Sequence, residues 1–373
     1  MKASDSNRSS FNKARSVVSV NRNPKISIAM ATFEGSKYLV EQFNSLCAQT
    51  RQPDEVIVYD DASSDNTLDI LREIEKTSKF PIKVIKGRAN RGVNYAFEKA
   101  SAACRGEYIF FCDQDDYWEL DKIEKFISVF ERDAKVGMIF CDATEMDAEG
   151  QFLSGSLWQK IGFTQRRRRN FEADPVGELI QRGNLVYGMS AAFRAEAIRP
   201  FYPIDADPRG MTHDTWFALH VMAMSWTGIT IDEPLVRYRR HVNQATNNQH
   251  LDSQTKNKGS VKARSRHDVA LLQALQAVIK NITNISFDDS NATTLEAVRS
   301  IEFKVSHILL REEVRKNKNV RLAVLAALSS GYWRHARGPL SVLVDLCGAP
   351  RTSVCNLMRE FRKLLGGQLG RWR

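Results

Sequence analysis

Nowhere in the 373 residues does an apolar run approach the ~18 residues that a helix needs to cross a membrane. The segment from Met1 to Pro24 is rich in Ser, Asn, Lys and Arg and lacks the apolar stretch of a signal peptide. It reads as a solvated, disordered lead-in. The cysteines are few: Cys47, Cys104, Cys112, Cys141, Cys347 and Cys355. They make no CxxC pair and no zinc-type spacing with histidine, and most sit in apolar runs, where a thiol behaves as a small hydrophobe. Reduced thiols in a cytoplasmic protein are the expectation. No GxGxxG follows the first apolar strand, which argues against a dinucleotide fold, and no GxxxxGK[ST] occurs, which excludes a P-loop. No internal repeat is present.

Charge is scarce as a net quantity over most of the chain. Residues up to 310 carry 41 Lys and Arg against 40 Asp and Glu, whereas Arg311 to Arg373 carry 13 against 4. The body is therefore neutral, without the basic stripe that tracks nucleic-acid phosphates, and no nucleic-acid partner is expected. The basic tail fits an anionic partner such as acidic lipid, or is a solvated charged segment.

What the sequence does have is alternation. Apolar strands are predicted at Ile26–Met30, Glu55–Tyr59, Ile82–Ile85, Tyr108–Cys112 and Gly137–Cys141. Between them lie helices marked by Leu39, Phe43 and Leu46, by Leu68, Leu71 and Ile74, by Val93, Ala96 and Phe97, and by Ile123, Phe126 and Phe130. Strands separated by helices imply right-handed crossovers and parallel pairing, hence an α/β, doubly wound, mostly parallel sheet. Such sheets bind ligands beyond the carboxyl ends of their strands. Four polar clusters fall there: Thr32 to Gly35, Asp60 to Ser64, Gly87 to Gly92, and Asp113 to Asp116. Residues 142–240 are less regular, 247–264 read as a linker, and 265–373 as a helical, basic C-terminal region.

The acidic cluster says most about chemistry. Asp113, Asp115 and Asp116 repel one another, and an apolar strand ending in them loses stability unless a cation neutralises them. Hard divalent ions, Mg²⁺ or Mn²⁺, take oxygen ligands and bridge to phosphates. An acidic loop capping the next helix has the same composition. Asp60 and Asp61 end another strand, where a carboxylate can accept hydrogen bonds from a base or ribose. Asp214, after His213, precedes an apolar helical run and reads as a functional carboxylate or an ordinary N-cap.

Taken together, these segments resemble family 2 glycosyltransferases of the GT-A fold, with a leaning toward bacterial rhamnosyltransferases of cell-surface polysaccharide assembly. The resemblance covers residues 25–246. It is carried by Ile26 to Thr32, Asp60 to Thr67, Asn90 to Gly92, Gly106 to Ile109, Asp113 to Trp118, His213-Asp214 and Asp232 to His241. It implies an inverting transfer of a sugar from a nucleotide-diphosphate sugar to a glycan or lipid-linked acceptor. Thr32, Phe33 and Asp61 would hold the nucleoside, within a site that includes Glu34, Asp60, Asn90, Gly92 and Gln114. Asp113 and Asp115 would form the metal–diphosphate site, and His241 would complete the metal shell. Asp214 would be the general base, with Asn184 and Gly188 shaping the sugar and acceptor site. The chain departs from the family at Phe33-Glu34, where Tyr-Asn is usual, so stacking is kept and one polar contact is not.

Other segments carry less. Arg166 to Arg169 suit an anionic acceptor or an exposed charged loop, and the loop is preferred. Gln368 to Trp372 match the QxxRW of processive synthases, but lie too far past Asp214, so a single-addition enzyme is expected. A processive polysaccharide synthase and a non-catalytic nucleotide- or nucleic-acid-binding protein are the competing readings. The apolar face of residues 356–365, with Arg359, Arg362 and Lys363 between, suits a helix lying on the inner face of the membrane or packed on the protein.

Overall fold

The computed structural model describes residues 25–181, 185–242, 244, 261–285 and 292–317. The first half builds as strand and helix in alternation: β1 (Ile26–Thr32), α1 (Leu39–Cys47), β2 (Glu55–Asp60), α2 (Thr67–Thr77), β3 (Ile82–Lys86), α3 (Val93–Ala102) and β4 (Tyr108–Cys112). These four strands pair in parallel in the order β3-β2-β1-β4. Both faces are covered, which is why β4 reads as an unbroken apolar run. Ile109 and Phe111 join the core under α3, while Tyr108, Phe110 and Cys112 join the core under α1.

The chain then crosses the acidic loop into β5 (Tyr117–Trp118), α4 (Lys122–Arg132), β6 (Val136–Met146) and β7 (Phe152–Ser156). After α5 (Leu157–Lys160), α6 (Gln165–Ala173) and α7 (Pro175–Gln181) come β8 (Ala191–Arg194), α8 (Ala195–Ile198), α9 (His213–Ala223) and β9 (Thr227–Arg239). The sheet continues past β4 as β8-β6-β9-β5. The expected fifth strand, β6, is therefore not the neighbour of β4: β8 lies between them, antiparallel to both. Only four residues long, β8 is too short for its period to show in the sequence. Its placement depends instead on Arg194, which is buried and donates to the carbonyls of Val136 and Phe130 at 3.0 and 3.1 Å.

Arg166 to Arg169 form part of α6 rather than a loop. Arg167 pairs with Glu178 and Arg168 with Asp232, so two of the four cations hold structure. Two long helices close the described chain, α10 (Val261–Ile285) and α11 (Ala292–Asn317). The first begins inside the stretch that composition assigns to a linker. Leu275, Val278 and Ile282 of α10 and Ile301 and Ile308 of α11 join the same core as α9, so these helices are packed onto the α9 side of the sheet. No helix among the described residues is long and apolar enough to cross a membrane. Asn184, the QxxRW match and the predicted amphipathic helix at 356–365 lie outside the described residues.

Candidate functional site

The carboxyl ends of β1, β2 and β4 form one rim, and the start of α9 and the end of β9 reach it from the other half. Thr32, at the end of β1, donates its hydroxyl to Asp60 Oδ2 at 3.0 Å. Asp60 is wholly buried and also accepts the Ser63 N–H and hydroxyl, at 2.9 and 2.6 Å. Asp61 binds the next loop: its oxygens accept the Arg91 N–H at 2.9 and 3.0 Å and the Gly92 N–H at 2.7 Å. Asn90 supports the same turn through Oδ1, 3.2 Å from the Gly92 nitrogen. Gly92 has φ +86°, a conformation that favours glycine, and caps α3. Both acids thus fold the rim, and the Arg91 and Gly92 N–H groups use only part of the roughly four acceptor positions of Asp61.

Phe33 stands at the edge, 43% exposed, a cost in water that an incoming flat base would remove. Its backbone is held on both sides by one side chain: Gln114 Oε1 accepts the Phe33 N–H at 2.9 Å and Gln114 Nε2 donates to the Phe33 carbonyl at 2.9 Å. A Cβ at Gly35 would come within 2.2 Å of Gln114 Oε1, so the neighbouring glycine is what lets the two loops meet. Glu34 turns away, with Oε1 accepting the Ser64 N–H and hydroxyl at 2.8 Å each.

Across the rim the acidic loop separates its members. Asp113 is half-buried and takes up protons far more readily than an ordinary carboxylate, its pKa raised to about 8 by burial first, then by the charges of Asp115 and Asp214. Asp116 points inward: Oδ1 accepts the Arg239 N–H at 2.9 Å, Oδ2 has no partner, and burial with the two neighbouring acids raises its pKa. Asp115 meets His241, Nε2 to Oδ2, at 2.8 Å. Arg239, fully buried, pins this loop by donating Nε to the Asp115 carbonyl at 2.8 Å while its guanidinium pairs with Glu41 at 2.6 Å. Lys122, buried beneath the loop 3.3 Å from the centre of the Trp118 ring, donates to the Met189 carbonyl at 2.6 Å. Burial draws its pKa down to about 8.

The turn that receives Lys122 also receives the candidate base. Asp214, in the first turn of α9, is buried; Oδ2 accepts the Gly188 N–H at 3.0 Å and Oδ1 the Thr215 N–H at 2.6 Å. Tyr187 lies against it, its phenol pushed up to about 12 by burial and then by the Asp214 charge. His213 is stacked on Phe97, ring centres 3.9 Å apart, and held neutral by burial, with a pKa of about 4.

The donor set fits a hard divalent cation. Asp113 and Asp115 are neighbouring carboxylates that repel each other, the charge of Lys122 offsets that repulsion at Asp113 only in part, and His241 already approaches Asp115. Among the described residues no three acidic, His or Cys side chains converge into a ready cage. Two carboxylates with the rest of the shell supplied by phosphate oxygens and water is the usual arrangement for Mg²⁺.

Elsewhere, a cleft of about 840 Å³ lined by Lys25, Arg51, Arg105 and Arg194 opens at the opposite, amino-terminal ends of β1 and β4. Its cations are tied to Glu131, Glu55 and Glu107 at 2.6–3.3 Å. The Gly92, Gln114, Asp214 and His241 contacts all lie on the carboxyl-end rim instead.

The family profile Glycosyl transferase family 2 matches residues 27–183, which hold the β1, β2 and β4 ends of this rim and the acidic loop. Residues 27–183 are a family 2 glycosyltransferase domain. An uncharacterized glycosyltransferase of Nostoc is 28% identical over 184 residues, 48% of this chain and 54% of its own length. Chondroitin synthase of Escherichia coli is 33% identical over 138 residues, and the putative teichuronic acid biosynthesis glycosyltransferase TuaG of Bacillus subtilis is 34% identical over 105. The chain spans only 20% and 41% of those two relatives. Among solved structures, that of S. aureus TarS 1-349 in complex with UDP-GlcNAc aligns with TM-score 0.54 at 16% identity, over 90% of this chain and 92% of that one. The fold of this chain is thus the GT-A type expected, with α9 and β9 completing the rim beyond the matched residues.

Arg239 and Lys122 were not singled out from sequence. A lysine in the first turn of an amphipathic helix looks like any solvated one. Arg239 sits in a run of exposed-looking charges, Arg237 to Arg240, and only its neighbours reveal that it is buried.

Proposed function

We propose that this chain transfers a sugar from a nucleotide-diphosphate sugar to an acceptor hydroxyl, with inversion at the anomeric carbon, in the synthesis of a bacterial surface polysaccharide. The observation that carries the reading is that Asp113, beside Asp115, feels the charge of Asp214 on the rim where Phe33 stands exposed. Phe33 stacks on the base, and Asp61 takes a nucleoside hydrogen bond while holding Arg91 and Gly92. Asp113 and Asp115, with His241, would hold Mg²⁺ or Mn²⁺ against the diphosphate. The bound cation stabilises the charge that develops on the leaving diphosphate. Asp214 takes the proton of the attacking hydroxyl, and the Gly188 and Thr215 N–H groups fix its orientation. One base on the face opposite the leaving group accounts for inversion.

The nucleotide-sugar complex of the TarS structure supports the choice of donor class. The relatives in chondroitin and teichuronic acid synthesis support a polysaccharide product. The resemblance to rhamnosyltransferases makes a rhamnosyl donor the first to test. The basic C-terminal region, by its charge, would bring the enzyme to an anionic membrane surface and a lipid-linked acceptor. Thermal shift and turnover against a panel of nucleotide sugars, with Mg²⁺ or Mn²⁺ and with chelator, test the reading. Donor-specific stabilisation and turnover that vanish in chelator and in Asp115→Ala are expected. Binding without any turnover would make this a nucleotide-binding protein, and long products would make it a processive synthase.

A further inference from the structure

Near Tyr187, in the turn that holds the candidate base, lies a charged group that donor chemistry leaves unused. Glu145 of β6 is buried, and two cations converge on its carboxylate. Lys160, at the end of α5, makes a close ion pair with Oε2, and Arg240, just past β9, brings Nη1 to 3.5 Å from Oε1. Neither that Nη1 nor that Oε1 makes a hydrogen bond, although both are buried. One carboxylate balances one cation, so the group keeps a net positive charge. Arg167 and Arg168 differ, because each is matched by its own acid.

The position of this charge is set by a short chain of contacts. The Arg240 guanidinium lies 5.7 Å from the centre of the Tyr238 ring, and that ring lies 6.4 Å from Tyr187. Tyr187 precedes Gly188, whose N–H binds Asp214. Tyr187 also feels both charges, Asp214 raising its pKa and Arg240 lowering it. On the other side of Arg240, His241 touches Asp115. The excess positive charge is thus linked through Tyr238 and Tyr187 to the turn that holds Asp214, and through His241 to Asp115.

We propose that Arg240 and Lys160 form an acceptor subsite for an oxyanion, so that the acceptor carries a carboxylate or phosphate near the hydroxyl to be glycosylated. The proposal rests on the glycosyltransferase reading above. Asp113, Asp115 and Asp214 would repel an anionic acceptor, and the pair on Glu145 offsets that repulsion where the acceptor must approach. Lys160 is the more accessible cation of the pair, with its side chain 38% exposed against 15% for Arg240, and a charge-assisted bond to an oxyanion is stronger than the long contact of Arg240 with Glu145.

Calorimetric titration of the full chain, with UDP present, tests this with two pairs of probes. One pair is a glucuronosyl-terminated disaccharide and its carboxyl-reduced glucosyl counterpart; the other is farnesyl phosphate and farnesol. At least one anionic probe should bind about tenfold or more tightly than its neutral partner, the equivalent of one charge-assisted bond. A preference in the first pair marks a glycan carboxylate, and in the second a lipid phosphate. The preference should largely vanish in Arg240→Gln and in Lys160→Gln and be partly retained in Arg240→Lys. Lys160, whose side chain is 38% exposed, is the variant least able to disturb the fold. Equal binding within both pairs, a preference that survives both Gln variants, or a parallel loss of UDP affinity in those variants would overturn the subsite. Failure of the wild-type chain to bind any of UDP, dTDP and GDP in the presence of Mn²⁺ would instead overturn the donor reading, and an oxyanion preference measured without nucleotide would still stand.

Discussion

Asp113→Asn removes one charge from the acidic loop while keeping its shape, and should stabilise the cation-free protein as it disables it. Asp113 holds a proton up to about pH 8, against 3.8 for an ordinary aspartate, because burial and the charges of Asp115 and Asp214 disfavour its ionised form. At pH 7 that preference costs the folded state at most about 4 kcal/mol, at roughly 1.4 kcal/mol per pH unit. Asp113 is only half-buried, so screening and side-chain relaxation should reduce the measurable gain to about 1–3 kcal/mol. For a domain of this size that is an increase in Tm of about 3–10 °C. Since the folded pKa is raised, this group's contribution is complete below about pH 4 and is lost as pH rises through about 8. In chelator, the melting temperature of the wild-type chain should therefore fall relative to the variant between pH 5 and pH 8. Mn²⁺ should reverse the order, raising the wild-type curve and leaving the variant unmoved. Scanning fluorimetry across that pH range measures all of this. An Asp113→Asn protein that melts below wild type in chelator at pH 7 would refute the idea that the loop stores repulsion for a cation to relieve.

Three further outcomes follow from named contacts. Asp214→Asn should bind UDP as tightly as wild type and lose about 10²-fold or more in single-turnover transfer, since an amide cannot take the proton; near-normal transfer would assign the base elsewhere. Asp61→Ala leaves the Arg91 and Gly92 N–H groups without their acceptor, and urea denaturation should register a loss of about 2–4 kcal/mol together with a raised donor KM. Arg239→Met unpins the Asp115 carbonyl and should cost about 2–4 kcal/mol and weaken Mn²⁺ binding in a fluorescence titration, whereas a variant with unchanged metal affinity would show that the loop holds its shape unaided.

The parallel half of the sheet was legible because β1, β2 and β4 bury both faces, which writes an apolar run into the sequence, while the edge strand β3 alternates Ile82 and Val84 with the exposed Lys83 and Lys86, and because the helices between these strands are long enough to show their period. The polar clusters at their ends were legible for the same reason, since topology alone sends strand ends to one rim. The antiparallel β8 was not, because four buried residues carry no period. The run Arg166 to Arg169 was misread as a loop because charge composition does not show which cations have partners. Asp214 stood next to an apolar helix in either reading, N-cap or base, and only the packing of α9 beside the acidic loop placed its carboxylate where Asp113 feels it.

Local residue order thus determined the α/β class, the strand ends that carry chemistry and the acidic cluster itself, since these depend on periodicity and on near neighbours in the chain. Tertiary structure decided which acids face outward and which are turned in. Asp113, Asp115 and Asp116 are alike in sequence, yet Asp116 is drawn inward to the Arg239 N–H while Asp115 meets His241. Those partners lie more than a hundred residues away in the chain, on β9 and just beyond it. Electrostatic roles depend on distance in space, and only the completed sheet, with β8 and β9 in place, sets those distances.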